Sequence, residues 1–177
     1  MKYVEEIMST MNTELDRILS CLDLLSEEQI WCKFKPAMNA VGNLCIHLAG
    51  NEYQHVISGI GRMPNIRQRT SEFTSDRTYT RDELKALLTR TRNESSGILN
   101  RLTEDELSQP VRIHYSIDDW NTMKDRSPNE AEEAGYTRDI QTILHQVSEH
   151  YGYHTGQIIL LTKLLIDTDK SLSGYTH

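Results

Sequence analysis

The segment IQTILHQVSEHYGYHTGQIILLTKLL, Ile140 to Leu165, has the periodicity of one long amphipathic helix and is the strongest indication of the fold. On a helix that turns about 100° per residue, seven apolar residues fall within roughly 60° of Val147 and form one stripe. They are Ile140, Ile143, Leu144, Tyr151, Ile158, Leu161 and Leu165. Such a stripe predicts a helix that packs along its whole length against other helices.

Two histidines of this helix, His150 and His154, lie four residues apart and therefore one turn apart on one face. His154 falls about 20° from the centre of the stripe and His150 about 60°, whereas His145 faces water. A buried imidazole without a partner costs about 1–3 kcal/mol, so the two rings need a metal ion, a hydrogen-bond network or water. H-x-x-x-H on a helix is a frequent metal-binding arrangement, but a zinc protease would need glutamate where Tyr151 stands, which excludes that class.

Three further segments, residues 3–25, 39–60 and 80–102, repeat apolar residues at the spacing of amphipathic helices. Residues 111–117 alternate between apolar and polar side chains, which predicts a short extended segment. Thr137 is the predicted N-cap of the last helix. We therefore predict an all-α protein, a four-helix bundle with long loops and one short extended segment between helices 3 and 4.

The polar segments 62–79 and 121–137 have no periodicity and are predicted as loops. The arginines of the first loop are diluted by acidic neighbours, so we predict that they are solvated. They are Arg62, Arg67, Arg69 and Arg77. The 177 residues form a single domain, with the bundle in residues 1–166 and a polar tail in residues 167–177.

The composition excludes several classes of protein. A net charge of −7 and a pI near 5.5 argue against a nucleic-acid partner, which needs a clustered positive surface. No apolar run approaches the roughly 20 residues that span a bilayer, and Glu5 and Glu6 stand where a signal peptide would be apolar. The three cysteines are widely spaced without a C-x-x-C motif, which favours reduced thiols in a cytoplasmic protein.

The second predicted helix supplies candidates for a third metal ligand. His47 lies at the edge of the apolar stripe of this helix, on the same polar strip as Asn51. His55 lies nearer the centre of the stripe, so it replaces or supplements His47 or is a satisfied core histidine. Three neutral imidazoles would hold a divalent metal ion, zinc or nickel in our expectation, and leave a position open for water or substrate.

Two amide side chains on the histidine sides of their helices, Asn51 and Gln157, are candidate donors to the ligands or to a cofactor. Gln157 could equally cap a backbone group of a neighbouring helix. A di-iron site would need two Glu-x-x-His motifs on different helices. Glu52 and His55 form one such motif and the last helix contains none, which excludes that site.

The segments NLCIHLAGN (residues 43–51) and VSEHYGYHTGQI (residues 147–158) resemble the DinB/YfiT-like superfamily of bacterial proteins. The resemblance covers nearly the whole chain and implies a four-helix bundle whose metal triad maps onto His47, His150 and His154. It also implies a bacterial cytosolic protein, usually a homodimer. Some relatives are S-transferases that use bacillithiol or mycothiol, and one group is a maleylpyruvate isomerase, so a low-molecular-weight thiol is an implied co-substrate.

Two hypotheses of different classes follow. In the first, the chain is a metal-dependent enzyme, a low-molecular-weight-thiol S-transferase with a small-molecule substrate. In the second, it is a non-catalytic dimeric bundle in which the metal or the histidine cluster only joins helices 2 and 4. An exchangeable coordination position favours the first hypothesis, and a closed one favours the second.

Overall fold

The computed structural model describes residues 1–74, 79–124, 134–168 and 171–172, and this part of the chain is mostly helical. Its α-helices are α1 (Lys2–Leu24), α2 (Glu27–Ile30), α3 (Val41–Glu52), α4 (Arg69–Thr74), α5 (Arg81–Leu99), α6 (Ile117–Lys124) and α7 (Ile140–Ile166). Helix α3 continues as a π-helical segment, Tyr53–Ile60. Two antiparallel strands, β1 (Pro110–His114) and β2 (Gly135–Asp139), pair from Pro110 opposite Asp139 to His114 opposite Gly135.

Four long helical segments correspond to the four predicted from the sequence: α1, α3 with its π-helical continuation, α5 and α7. Helix α1 packs against α5 and α7, and α3 packs against the same two helices. Their apolar stripes meet in one core, where fully buried side chains include Met11, Ile18, Leu48, Leu88 and Tyr151. Burying each large apolar side chain contributes about 1.5–3 kcal/mol. This packing makes α3 and α7, which carry the candidate ligands, direct neighbours.

Capping residues set where two of the helices begin, as the sequence indicates. Ser26 Oγ accepts a hydrogen bond from the Gln29 backbone N–H, and Gln29 Oε1 accepts one from the Ser26 backbone N–H at 2.9 Å. Thr80 and Glu83 form the same reciprocal pair at the start of α5. Each pair satisfies two backbone donors that the first helical turn leaves without partners.

A small sheet was missing from the sequence prediction. Strand β1 overlaps the predicted extended segment 111–117 but begins one residue earlier, at Pro110, and Ile117 already begins α6. Strand β2 contains Thr137, so the predicted N-cap there is wrong, and Asp139 caps α7 by accepting from the Thr142 backbone N–H at 2.8 Å. The β2 sequence GYTRD has no apolar alternation, which explains why periodicity did not reveal it. Residues 125–133 of the predicted loop 121–137 lie outside the described residues.

The predicted loop 62–79 contains a helix, α4, which packs against α3. Six residues cannot hold a helix by themselves, so tertiary hydrogen bonds must stabilise it. The Asp119 carboxylate on α6 accepts from the backbone N–H groups of Arg69 (3.1 Å) and Thr70 (2.9 Å). Asn43 Nδ2 on α3 donates to the Glu72 carbonyl at 3.0 Å. These contacts fix α4 against α3, the helix that carries His47.

The last helix ends as predicted, close to the start of the polar tail. Helix α7 ends at Ile166, and Asp167 adopts a left-handed conformation with φ 50°. Most of the predicted tail lies outside the described residues. Among the helices of the described residues, none combines the length and apolar character that crossing a bilayer requires.

Candidate metal centre

Three histidines from two neighbouring helices meet in one cluster. His47 comes from α3, and His150 and His154 come from successive turns of α7. One ring nitrogen from each lies within 4.8 Å of the others. The ring centroids are 4.9 Å apart for His47 and His150, and 5.0 Å apart for His47 and His154. The packing of α3 against α7 therefore brings together the three residues that the sequence motifs singled out.

In two of these rings, Nδ1 lies within hydrogen-bond distance of a side-chain acceptor. His47 Nδ1 lies 2.8 Å from Glu72 Oε2, which only accepts, and 3.1 Å from Arg67 Nη2, which only donates. We assign the proton to Nδ1 because the carboxylate contact is the shorter of the two. His154 Nδ1 likewise donates to Gln157 Oε1 at 2.7 Å. In these tautomers Nε2 of His47 and Nε2 of His154 carry lone pairs, and Nε2 of His47 lies 3.0 Å from His150 Nε2. Hydrogen bonds of this kind orient the imidazoles of metal sites and raise their basicity.

Glu72 is itself held by a buried arginine. Arg67 Nε donates to Glu72 Oε1 at 2.7 Å and Arg67 Nη2 donates to Glu72 Oε2 at 2.8 Å, which forms a bidentate ion pair. The two side chains are 3% and 4% exposed. Arg67 Nη1 also donates to Gln54 Oε1 at 2.6 Å. The prediction that Arg67 is solvated is therefore wrong. The side chain of Arg67 is buried, and its charge neutralises the Glu72 carboxylate that contacts His47.

The surroundings keep the histidines neutral. Burial lowers the pKa of His150 to about 3, and the neighbouring His47, His154 and Arg67 contribute in the same direction. Burial also lowers the pKa of His47 and of His154, against the raising effects of Glu72 and Gln157 respectively. Imidazole binds metal ions only in its neutral form. At neutral pH the cluster is therefore in the protonation state that a metal ion requires.

The cluster fits a divalent cation in donor type and in spacing. Tetrahedral coordination with bonds of about 2.0–2.1 Å separates ligand nitrogens by roughly 3.3 Å. His150 Nε2 and His47 Nε2 lie 3.0 Å apart, close to that separation. Three uncharged nitrogen donors suit zinc and nickel better than magnesium or calcium, which prefer oxygen. These three histidines could therefore hold a metal ion.

His55, the rival third ligand, lies outside this cluster. It is fully buried in the π-helical segment, where Nδ1 donates to the Asn51 carbonyl at 2.8 Å. Its Nε2 accepts from the Tyr136 hydroxyl at 2.7 Å. Both ring nitrogens are satisfied by the protein, as expected for a core histidine. Asn51 is buried one turn after His47, and it accepts from His55 through its backbone carbonyl rather than through its amide.

The two tyrosines of the histidine motif have different environments. Tyr151 is buried in the core, and its hydroxyl donates to Glu52 Oε2 at 2.5 Å. Glu52 also pairs with Arg92 at 2.7 Å and accepts from the Ser95 hydroxyl. Tyr151 therefore packs, as predicted, and contributes to a buried polar network. Tyr153 is 64% exposed, and its ring lies 4.9 Å from the ring of His154.

The sequence profile of the DinB superfamily matches residues 11–158, which is most of the chain. The chain belongs to the DinB superfamily. The resemblance predicted from the histidine motifs is thus confirmed. No curated protein matches this DinB-superfamily chain at a significant level.

Solved structures show the same fold at low sequence identity. A DinB-like protein from Bacillus cereus has a TM-score of 0.62 and 14% identity, over 90% of this chain and 91% of that one. A DinB-like protein from Bacillus subtilis has a TM-score of 0.62 and 15% identity, over 94% and 96%. A variant of the mycothiol-dependent maleylpyruvate isomerase has a TM-score of 0.56 and 12% identity, over 88% of this chain and 60% of that one.

Sequence reasoning missed Glu72 and Arg67 as parts of the site. Both lie in a segment without periodicity, and nothing in the sequence distinguishes Glu72 from an ordinary surface acid among the arginines of that segment. The one sequence signal is the length of the connection between the second and third long helices, since long ordered loops are often functional.

Proposed function

We propose that this DinB-superfamily protein is a metal-dependent enzyme of the low-molecular-weight-thiol S-transferase type. The observation that carries the proposal is the cluster of three neutral histidines, whose nitrogens lie within 4.8 Å of one another. In this proposal His47, His150 and His154 hold one divalent cation, zinc or nickel. Three protein ligands leave at least one coordination position open, which is the pattern of catalytic rather than structural sites.

The proposed nucleophile is a thiol from outside the protein. A divalent cation bound at the triad would lower the pKa of a thiol and favour the nucleophilic thiolate. The chain's own thiols at Cys21 and Cys45 are buried in the core, and burial raises the pKa of both. A structural neighbour is a mycothiol-dependent isomerase, which supports a small thiol as the co-substrate here.

The protein's residues would bind, orient and shield the reactants. Glu72 and Gln157 keep the Nε2 lone pairs of His47 and His154 directed toward the cluster. The Phe73 ring lies 4.8 Å from the His47 ring and the exposed Tyr153 ring flanks His154, so both offer apolar surface beside the site. We further propose a homodimer in the bacterial cytoplasm, where small thiols stay reduced.

Elemental analysis of protein purified without a histidine tag tests the metal site. We expect about one divalent ion per chain in the wild type, its loss in His154→Ala, and its retention in His145→Ala. His145 is an exposed histidine of the same helix and serves as the matched control. Full metal content in His154→Ala would contradict the assignment of the ligands.

A second measurement separates an enzyme from a structural metal site. Cobalt(II) can replace zinc, and a thiol that binds it produces a sulfur-to-cobalt charge-transfer absorption band. The proposed enzyme should show this band on addition of a small thiol and should then conjugate the thiol to an electrophile. A metal that is retained but never contacts added thiol would instead support a non-catalytic bundle in which the ion joins α3 and α7.

A further inference from the structure

The histidine cluster lies beside a positive charge that has no acidic partner in the described residues. The chain as a whole carries a net charge of −7. The charges that act on His47 are those of Arg67, Arg69 and Glu72. Glu72 and Arg67 form a buried ion pair and largely cancel each other. Within the described part of the chain, no carboxylate pairs with the guanidinium of Arg69, and the nearby Asp119 carboxylate accepts from the Arg69 backbone N–H instead.

Arg69 is held close to the cluster by two contacts. Its backbone N–H donates to the Asp119 carboxylate at 3.1 Å, which fixes the first turn of α4. Its guanidinium carbon lies 5.2 Å from the centroid of the Phe73 ring, a cation–π contact one turn along the same helix. The centroid of the Phe73 ring lies 4.8 Å from that of the His47 ring. The guanidinium carbon of Arg69 therefore lies at most 10.0 Å, the sum of the two distances, from the centroid of the His47 ring.

The charge balance of the site favours a ligand with two negative groups. Three neutral imidazoles leave the full charge of a bound divalent cation in place. A single thiolate neutralises half of that charge, and Arg69 adds one more positive charge nearby. A ligand that carries a thiolate and a second anionic group would contact both the cation and Arg69. Arginine is suited to this role because its planar guanidinium binds carboxylates through two parallel hydrogen bonds.

We propose that Arg69 is the anion-binding residue of this site and that it selects thiols that carry a carboxylate a few bonds from the sulfur. The inference rests on the proposed function, because the sulfur of such a ligand would be held at the histidine triad. It adds a substrate class and a specificity residue to that function. Phe73 limits where the guanidinium can lie and thereby sets the separation between the two negative groups of the ligand.

The test compares two thiols of equal chain length, 6-mercaptohexanoate and neutral 6-mercaptohexanol, in titrations of the cobalt-loaded protein followed by sulfur-to-cobalt absorption. We expect the wild type to bind the carboxylate thiol about tenfold more tightly, because one charge-assisted hydrogen bond between the carboxylate and Arg69 contributes about that difference in affinity. Arg69→Gln should bind both thiols equally, and Arg69→Lys should keep part of the preference. Arg101→Gln removes the same charge from an exposed arginine beyond α5 and should leave the preference unchanged.

A second measurement needs no variant. The wild-type preference for the carboxylate thiol should fall as sodium chloride is added, because salt screens a partly exposed charge pair, while the affinity for the neutral thiol should change little. Equal binding of the two thiols by the wild type, or a preference that survives in Arg69→Gln, would overturn the role of Arg69 and leave the proposed function standing. Absence of the absorption band with both thiols would overturn the proposed function and this inference together.

Discussion

Replacing Glu72 with glutamine tests whether the buried carboxylate prepares His47 for metal binding. The substitution keeps the shape of the side chain and removes its charge. In the wild type the carboxylate accepts from His47 Nδ1 at 2.8 Å, from Arg67 Nε at 2.7 Å and from Arg67 Nη2 at 2.8 Å. All three donors need an acceptor, and an amide has only one oxygen. The variant cannot satisfy them all.

The amide has two possible orientations, and each has a distinct cost. With its oxygen toward His47, its NH₂ group faces the Arg67 Nε donor, which leaves a buried guanidinium poorly paired. With its NH₂ group toward His47, Nδ1 must accept, and the ring proton moves to Nε2, the nitrogen that faces the cluster. Either orientation loses a charge-assisted hydrogen bond of about 1.5–3 kcal/mol. We therefore expect metal affinity to fall about 10- to 100-fold, the usual effect of losing such a partner.

Competition with a chromophoric chelator measures the affinity, and nitrogen-15 NMR of the metal-free protein shows which nitrogen of His47 carries the proton. Glu149→Gln is the matched control, because Glu149 is exposed and adjacent to His150 in the chain. It removes the same charge near the site without removing a hydrogen bond to a ligand. A Glu72→Gln affinity within about twofold of the wild type, with the His47 proton still on Nδ1, would contradict the role of Glu72 in metal binding.

Three further predictions concern the surroundings of the site. Burial lowers the pKa of His55 to about 4. In the unfolded chain the same imidazole is protonated below about pH 6.5, whereas in the native state it stays neutral until the pH is much lower. Between about pH 7.5 and about pH 5, metal-free wild type should therefore lose about 2 kcal/mol more free energy of unfolding than His55→Gln, measured by urea titration. Arg92→Met should lower the free energy of unfolding by about 3–5 kcal/mol, because fully buried Glu52 loses its partner 2.7 Å away; a loss below about 1 kcal/mol would contradict this. Gly50→Ala should weaken metal binding about tenfold in the chelator assay while the helix content is unchanged, since the new Cβ would overlap Glu72 Oε1.

The histidine cluster could be predicted because its geometry is local to each helix. The four-residue spacing of His150 and His154 sets their common face, and the apolar stripe of α7 sets the direction of that face. The position of His47 at the edge of the α3 stripe directs it toward the same core. Only the pairing of α3 with α7 is non-local, and the resemblance to a known superfamily supplied it. The choice between His47 and His55 required the structure, because both lie near the buried face of one helix.

The sheet and helix α4 could not be predicted, because non-local contacts stabilise them. Strand β2 has polar residues where periodicity would need apolar ones, and its partner β1 supplies its hydrogen bonds. Helix α4 is six residues long and depends on Asp119, which is about fifty residues away in the chain. Sequence periodicity reports burial along one element, so it carries no information about hydrogen bonds between distant segments.

The same dependence gives helix α4, within the predicted loop 62–79, a role in the chemistry of the site. Helix α4 carries both Glu72, which contacts the triad, and Arg69, whose charge lies beside it. Its position depends on the Asp119 carboxylate of α6 and on Asn43 of α3. A substitution such as Asp119→Asn would therefore act at a distance. By loosening α4 it should weaken metal binding through Glu72 and the preference for carboxylate thiols through Arg69 together, whereas Glu72→Gln and Arg69→Gln should each change mainly one of the two.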